Sequence, residues 1–391
     1  MPRPALELAD IFRQHGPAYR QAHDLPWHQQ HLMQAIEECR TPALGGVVEW
    51  CDHCQYTHIQ YRSCRNRHCP KCQGLARAHW LEQRQAELLP VEYFHVVFTI
   101  PEAIAAIAFY NKAVVYDLLF RATAQTLLEI AADPQRLGVE IGFFAVLHSW
   151  GQNLHFHPHL HCVVPGGGLS PRADRWIHAR PRFLLPVRVL SARFRRLFLQ
   201  ALEQAYAAGQ LQFFGDLAGL SDPAAFARYL APLKKSKWVV YAKAPLGGPQ
   251  QVLEYLGRYT HRVAISNRRL LALEDGQVTF EWKDYRDGQL KHMQVSADEF
   301  IRRFLLHALP PGFQRIRYYG FLANCHRAVR LEQCRRLLAT PAADLRPRAS
   351  DYRDFYLQLT GINLRRCPRC GIGALIRLAL PGPLPQLVDT S

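Results

Sequence analysis

Apolar and polar positions along the chain recur with two different periods, and the changes of period mark the elements. Over residues 1–40, Leu6, Leu8, Ile11 and Phe12, then Leu32, Met33 and Ile36, follow helical spacing, with interruptions expected at Gly16-Pro17 and Pro26. A second helical run over residues 74–89 stops at Pro90. The pattern then changes. Residues 93–100 (YFHVVFTI) are rich in β-branched and aromatic side chains and end before Pro101, which predicts a strand. Residues 103–132 predict one long helix, and 139–150 and 157–164 predict two strands joined at Gly151-Gln152-Asn153. Beyond them, 191–208 and 250–260 read as helices and 237–244 as a short strand. Asp275-Gly276 and Asp287-Gly288 punctuate three alternating runs, 269–274, 277–285 and 289–295, as in a small antiparallel meander. Residues 297–308 return to helix, and 381–385 open a loose tail. The fold class is α+β, with a central antiparallel sheet and flanking helices. Three consecutive segments are expected: a helical, cysteine-bearing 1–90, a mixed 91–265, and a meander with a basic, mostly helical region over 266–391.

Composition narrows the picture. With 391 residues, 49% apolar and 20% charged, the chain can bury real cores and is neither disordered nor collagen-like. No apolar run approaches the ~18 residues of a membrane span, and the first residues lack the apolar stretch of a signal peptide. A cytoplasmic protein without a membrane partner is the expectation. Charge adds a direction. The net charge is +16, and residues 301–391 hold 15 arginines, no lysine and 5 acids. Such a basic excess favours nucleic acid or an anionic surface as the partner.

Eleven cysteines, six of them between Cys39 and Cys72, suit metal ligation in a reducing compartment. Cys51-x-x-Cys54 and Cys69-x-x-Cys72 are two knuckles, and together they predict one closed, structural zinc site of four thiolates. Cys64 or His68 is an alternative to one of the four. Arg65 and Arg67, among the basic residues around the knuckles, are candidates for phosphate contact. A third knuckle, Cys367-Pro-Arg-Cys370, has no partner pair in its own neighbourhood; Cys325 and His326 are candidate co-ligands, and a half-site is the other reading.

The run His155-Phe-His157-Pro-His159-Leu-His161 carries further chemistry. On a strand, alternate side chains share a face, so these histidines can share a metal with positions left open for water or substrate. His148, on the preceding strand, is the expected third ligand beside His159 and His161, with His157 as the alternative. Tyr255 and Tyr259 lie at i and i+4 on one helix face, among Arg258, His261, Arg262, Arg268 and Arg269. A tyrosine pair among cationic side chains suits phosphate. Trp238, Tyr241, Trp282 and Tyr285 are candidate stacking platforms for bases.

Taken together, SCRNRHCPKCQ, HPHLH with its trailing VPGGG, YLGRYTHRVAISNRRL and PGFQRIRYYGFLAN resemble the rolling-circle insertion-sequence transposases (the ninety-one family). These belong to the wider His-hydrophobic-His (HUH) two-tyrosine nickases. The resemblance runs from about Trp27 to Arg336 with the motifs in family order. It implies an HUH-type central sheet and a divalent metal, Mg²⁺ or Mn²⁺, held by His159, His161 and one further residue. It also implies paired nucleophiles at Tyr255 and Tyr259, with single-stranded or locally melted DNA as substrate. Cleavage through a covalent 5′-phosphotyrosine conserves the bond energy, so strand transfer needs no nucleotide cofactor. A plasmid replication initiator or relaxase, a three-histidine zinc hydrolase and a zinc-dependent, non-catalytic DNA-binding protein are the competing expectations.

Overall fold

A computed structural model of the chain describes residues 6–85, 87–246, 251–252, 257, 263–284, 287–340 and 351–380. In chain order the elements are α1 (Leu8–Ala22), α2 (Trp27–Glu37), β1 (Gly46–Cys51), β2 (Thr57–Tyr61), α3 (Gln73–Gln85) and β3 (Tyr93–Thr99). There follow α4 (Glu102–Tyr110), α5 (Lys112–Ala132), β4 (Gly142–Trp150), β5 (Phe156–Pro165), β6 (Gly167–Leu169), β7 (Trp176–His178), α6 (Val187–Ala207), α7 (Pro223–Lys235) and β8 (Val240–Leu246). The remainder comprises β9 (Leu270–Glu274), β10 (Gln277–Lys283), β11 (Leu290–Ser296), α8 (Ala297–Leu306), β12 (Ile316–Gly320), α9 (Arg327–Leu337), α10 (Tyr352–Thr360) and β13 (Leu375–Leu380). The class is α+β with antiparallel sheets.

Contacts group the chain into two compact units that cut across the three consecutive segments expected from the sequence. One comprises residues 1–80, 261–308 and 344–391, the other 81–260 and 309–343. Each is interrupted in sequence by the other.

In the first unit, α1 buries Leu8, Ile11, Phe12 and Tyr19 on one stripe, and Phe12 meets Phe304 of α8 edge-on at 5.5 Å. Helix α8 in turn lays Phe300 against Phe280 of the meander β9–β10–β11. Helix α1 runs through Gly16-Pro17, where an interruption was expected. Proline costs the helix one backbone bond. Gly16 lets α2 approach so closely that a Cβ there would sit 3.1 Å from the Met33 and Glu37 side chains. A separate sheet, ordered β13–β1–β2, joins strands from opposite ends of the chain.

The second unit is built on a five-stranded sheet ordered β12–β4–β5–β3–β8, with antiparallel pairings throughout. Its two faces have different jobs. Phe94, Val96 and Phe98 of β3, Phe143, Ala145 and Leu147 of β4, and Leu160, Cys162 and Val164 of β5 point into the core beneath α4, α5 and α6. Because side chains alternate along each strand, His95, His148, His159 and His161 fall on the opposite face. The long helix expected over 103–132 is broken at Asn111. That buried side chain donates to the carbonyls of Ile107 and Gln212 and accepts from the Gln212 amide.

Candidate functional site

The histidine cluster follows from strand register. A short turn returns β5 along β4, so His148 stands directly opposite His159, and Val146 opposite His161. His161 lies two residues further on the same face as His159. The three imidazoles converge, with ligand atoms all within 4.8 Å of one another. The Nε2 atoms of His159 and His161 are 3.0 Å apart, and the His148 and His161 rings are 4.5 Å apart. His148 and His161 are buried and His159 is half-buried, so the cluster opens on the His159 side. The Trp150 ring stacks on His148 at 4.9 Å.

Hydrogen bonds aim these rings. His159 Nδ1 lies 2.6 Å from the carbonyl oxygen of His157, to which it donates, leaving Nε2 as the lone-pair nitrogen. His161 Nδ1 is 2.8 Å from Nε2 of His95, a buried residue of β3 whose ring lies parallel to it. The sequence alone does not single out His95. The signal was there in the alternation of YFHVVFTI, but only the β3–β5 pairing brings it to His161. His157 is exposed and outside the converging set, because the β4–β5 register shifts between His148 and Trp150, just where Pro158 interrupts β5.

The three converging imidazoles, with no protein ligand beyond them among the described residues, leave room for exogenous ligands. Their donor chemistry fits Mn²⁺, Co²⁺ or Zn²⁺ better than Mg²⁺.

Thiols gather differently from the expected arrangement. Cys51 and Cys54 do not share a site with Cys69 and Cys72. Instead Cys69 and Cys72 join Cys39 and Cys64 in one four-thiol cluster, while Cys51 and Cys54 join Cys367 and Cys370 in another. The reason is the chain path. Cys39, just past the end of α2, comes within 3.5 Å of the Cys72 sulfur, and Cys64 Sγ is 3.6 Å from it. Strand pairing of β13 with β1 brings in the distant knuckle. Cys325 and His326 bond each other, Sγ to Nδ1 at 3.0 Å, and are not part of either cluster. In the first cluster the thiols around Cys69, Cys39 foremost, push its pKa up, while the same neighbours can donate to a Cys72 thiolate and pull it down. Four converging thiols of this kind are a binding site for a cation.

The remaining candidates are dispersed. Arg65 is exposed, and Arg67 is half-buried with its pKa lowered by that burial. Arg268 and Arg269 lie in a single 3₁₀ turn, where Arg269 Nε donates to the Glu281 carbonyl at 2.7 Å. Trp238 is a core residue packed between Phe194 and Phe198, and Trp282 is half-buried with the Lys291 ammonium 5.8 Å from its ring. Tyr241 is 51% exposed. Its register partner is Val97, which puts it on the histidine face. Tyr255, Arg258, Tyr259, His261, Arg262 and Tyr285 lie outside the described residues.

The chain thus carries one histidine cluster and two four-cysteine clusters, each able to hold a metal ion, and comparison with known proteins gives the class. A putative-transposase family model matches residues 142–329 and a transposase zinc-binding-domain model matches 11–100. A putative transposase (y4qJ) of Sinorhizobium fredii (strain NBRC 101917 / NGR234) is 62% identical over 399 residues, covering the whole of both chains. The transposase for insertion sequence element IS801 of Pseudomonas savastanoi pv. phaseolicola is 29% identical over 293 residues, 73% of this chain and 68% of that protein. No solved structure matches. The chain belongs to the insertion-sequence transposases of the ninety-one family. Its cysteine-bearing N-terminal region is a structural zinc-binding unit. No described helix is long and apolar enough to cross a membrane.

Proposed function

We propose that this transposase acts as an HUH-type nuclease and strand transferase on single-stranded or locally melted DNA at the ends of its element. The observation that carries the reading is the convergence of His148, His159 and His161 on the open face of a five-stranded antiparallel sheet. They would hold a divalent ion, Mn²⁺ or Mg²⁺, which when bound polarises the scissile phosphate and offsets the charge developing on its oxygens.

Tyrosine is a weak nucleophile at its ordinary pKa of ~10, and cationic side chains such as those near Tyr255 and Tyr259 in sequence would favour the phenolate. The phenolate oxygen bonds to phosphorus as the P–O3′ bond breaks, and the 3′ oxygen leaves as a hydroxyl. The 5′-phosphotyrosine keeps the energy of the broken bond, and attack by another 3′-hydroxyl regenerates a phosphodiester. With two tyrosine nucleophiles in one chain, one can hold an end while the other opens a second strand. That is the chemistry of rolling-circle transposition, carried out in the cytoplasm, where the DNA of such an element resides. Exposed Tyr241, on the histidine face, is a stacking platform for a base of the bound strand.

The test is a covalent-adduct assay. Full-length protein is mixed with labelled single-stranded DNA from the element's own ends, with Mn²⁺ or Mg²⁺, and resolved on a denaturing gel. A metal-dependent shifted band should appear, and should be absent in the Tyr255→Phe/Tyr259→Phe double variant. His159→Ala should abolish it with DNA binding retained. Binding of authentic ends without any adduct under either ion would overturn the reading in favour of a zinc-dependent, non-catalytic DNA-binding protein.

A further inference from the structure

The second thiol cluster joins two knuckles more than 300 residues apart in sequence. Cys51-x-x-Cys54 ends β1 and begins the turn to β2. Cys367-x-x-Cys370 lies in the turn that leads into β13. Strand β13 pairs with β1 along its whole length, from Gly46 opposite Leu380 to Cys51 opposite Leu375, so the two knuckles meet at one end of the sheet.

Four independent features show a built site. The sulfurs pair crosswise, Cys51 with Cys370 and Cys54 with Cys367, each at 3.7 Å. A tetrahedron of sulfurs ~2.3 Å from a zinc ion has an edge of ~3.8 Å. Backbone amides are aimed at the sulfurs: those of His53 and Cys54 at Cys51 Sγ, that of Arg369 at Cys367 Sγ and that of Gly373 at Cys370 Sγ, each at 3.4 Å. Such donors stabilise thiolates. Gly373 passes so close that a Cβ there would lie 2.4 Å from Cys51 Sγ. Finally, the two ends are fastened without the cysteines. Asp52 Oδ1 accepts from the Ala374 amide at 2.8 Å, and buried Glu49 is ion-paired with Arg377 directly across the strands.

We infer that Cys51, Cys54, Cys367 and Cys370 form a second structural zinc centre, so that each chain carries two structural zinc ions. Neither matched family segment contains Cys367 or Cys370, which lie beyond both residues 11–100 and 142–329. Four sulfurs complete the tetrahedron and leave no position for water or substrate, so the centre is structural. On binding, each thiol still protonated releases its proton to solvent, and nothing is oxidised or reduced. The consequence is topological. The ion closes the β13–β1–β2 sheet and makes the C-terminal segment an integral part of the zinc-bearing unit.

The experiment measures zinc per chain in full-length protein carrying His148→Ala and His159→Ala, which removes the imidazole site, produced with zinc and passed through metal-free buffer. This protein should hold two ions, and the same protein with Cys367→Ser/Cys370→Ser one. A zinc count that does not fall on adding Cys367→Ser/Cys370→Ser overturns the inference. If the variant loses both ions, alkylation of wild-type protein with iodoacetamide, read by mass spectrometry, decides. Cys54 and Cys370 are only half-buried. They should resist labelling until a chelator is added, whereas exposed Cys325 reacts at once. Labelling of Cys370 at the rate of Cys325 in zinc-loaded protein would also overturn it.

Discussion

At the scale of single residues, the imidazole pair His95–His161 has the most direct consequence for the histidine centre. For His161 to offer Nε2 as a ligand, Nδ1 must carry the proton, and His95 Nε2 at 2.8 Å is there to accept it. In the proposed metal site His95 is therefore a positioning residue that acts through His161. Loss of a hydrogen-bonding partner of this kind typically costs ~10–100-fold in metal affinity. His95→Leu should weaken Mn²⁺ binding by about that factor, with a similar fall in adduct formation at limiting metal. His95→Gln, which can still accept the bond, should recover most of it. Titration calorimetry with Mn²⁺, beside a melting curve for each variant, checks this. Equal affinities for the Leu and Gln variants would leave His95 as packing alone. His159 needs no such partner, because the carbonyl of its own strand fixes its ring.

Elements show where local pattern and context part company. Apolar spacing over 103–132 is continuous, yet α4 ends at Tyr110 and α5 begins at Lys112. Asn111 decides this by exchanging bonds with the Gln212 backbone, 101 residues away. Asn111→Ala would remove both of these part-buried bonds, at about 0.5–1.5 kcal/mol each. A lower urea midpoint at unchanged slope is the expected result, and no change in midpoint would show the break to be incidental. Helix α8 illustrates the opposite case. Ser296 accepts from the Glu299 amide at 3.2 Å, the cap expected of a serine before an acidic first turn. Ser296→Ala should cost about 0.5–2 kcal/mol by the same measurement.

For the whole molecule, the organising facts are charge and interleaving. A net charge of +16 predicts that binding to single-stranded DNA is dominated by phosphate contacts. Affinity should then fall linearly with salt on logarithmic axes, by ~0.7 in slope for each phosphate neutralised. Fluorescence anisotropy from ~50 to ~200 mM salt measures it, and a flat response would exclude a phosphate-dominated contact. Interleaving bears on truncation. Each unit takes segments from distant parts of the chain, so cuts at 90 or 265 would sever units rather than separate them.

The sequence by itself determined what depends on near neighbours. β-Branched and aromatic runs marked β3, β4 and β5, and the short Gly151–Asn153 turn pointed to the pairing of His148 with His159 that the strand register shows. The meander and α8 were equally legible, because Asp-Gly turns and a serine cap are local signals. Only the tertiary structure decided which cysteines meet, because a C-x-x-C knuckle states its ligands and leaves its partner to the strand beside it. That strand, β13, lies over 320 residues from β1. The same holds for His95, whose chemistry exists only once β3 is paired with β5. Spacing along the chain encodes elements and half-sites; closure of a site depends on long-range pairing, which no local period records.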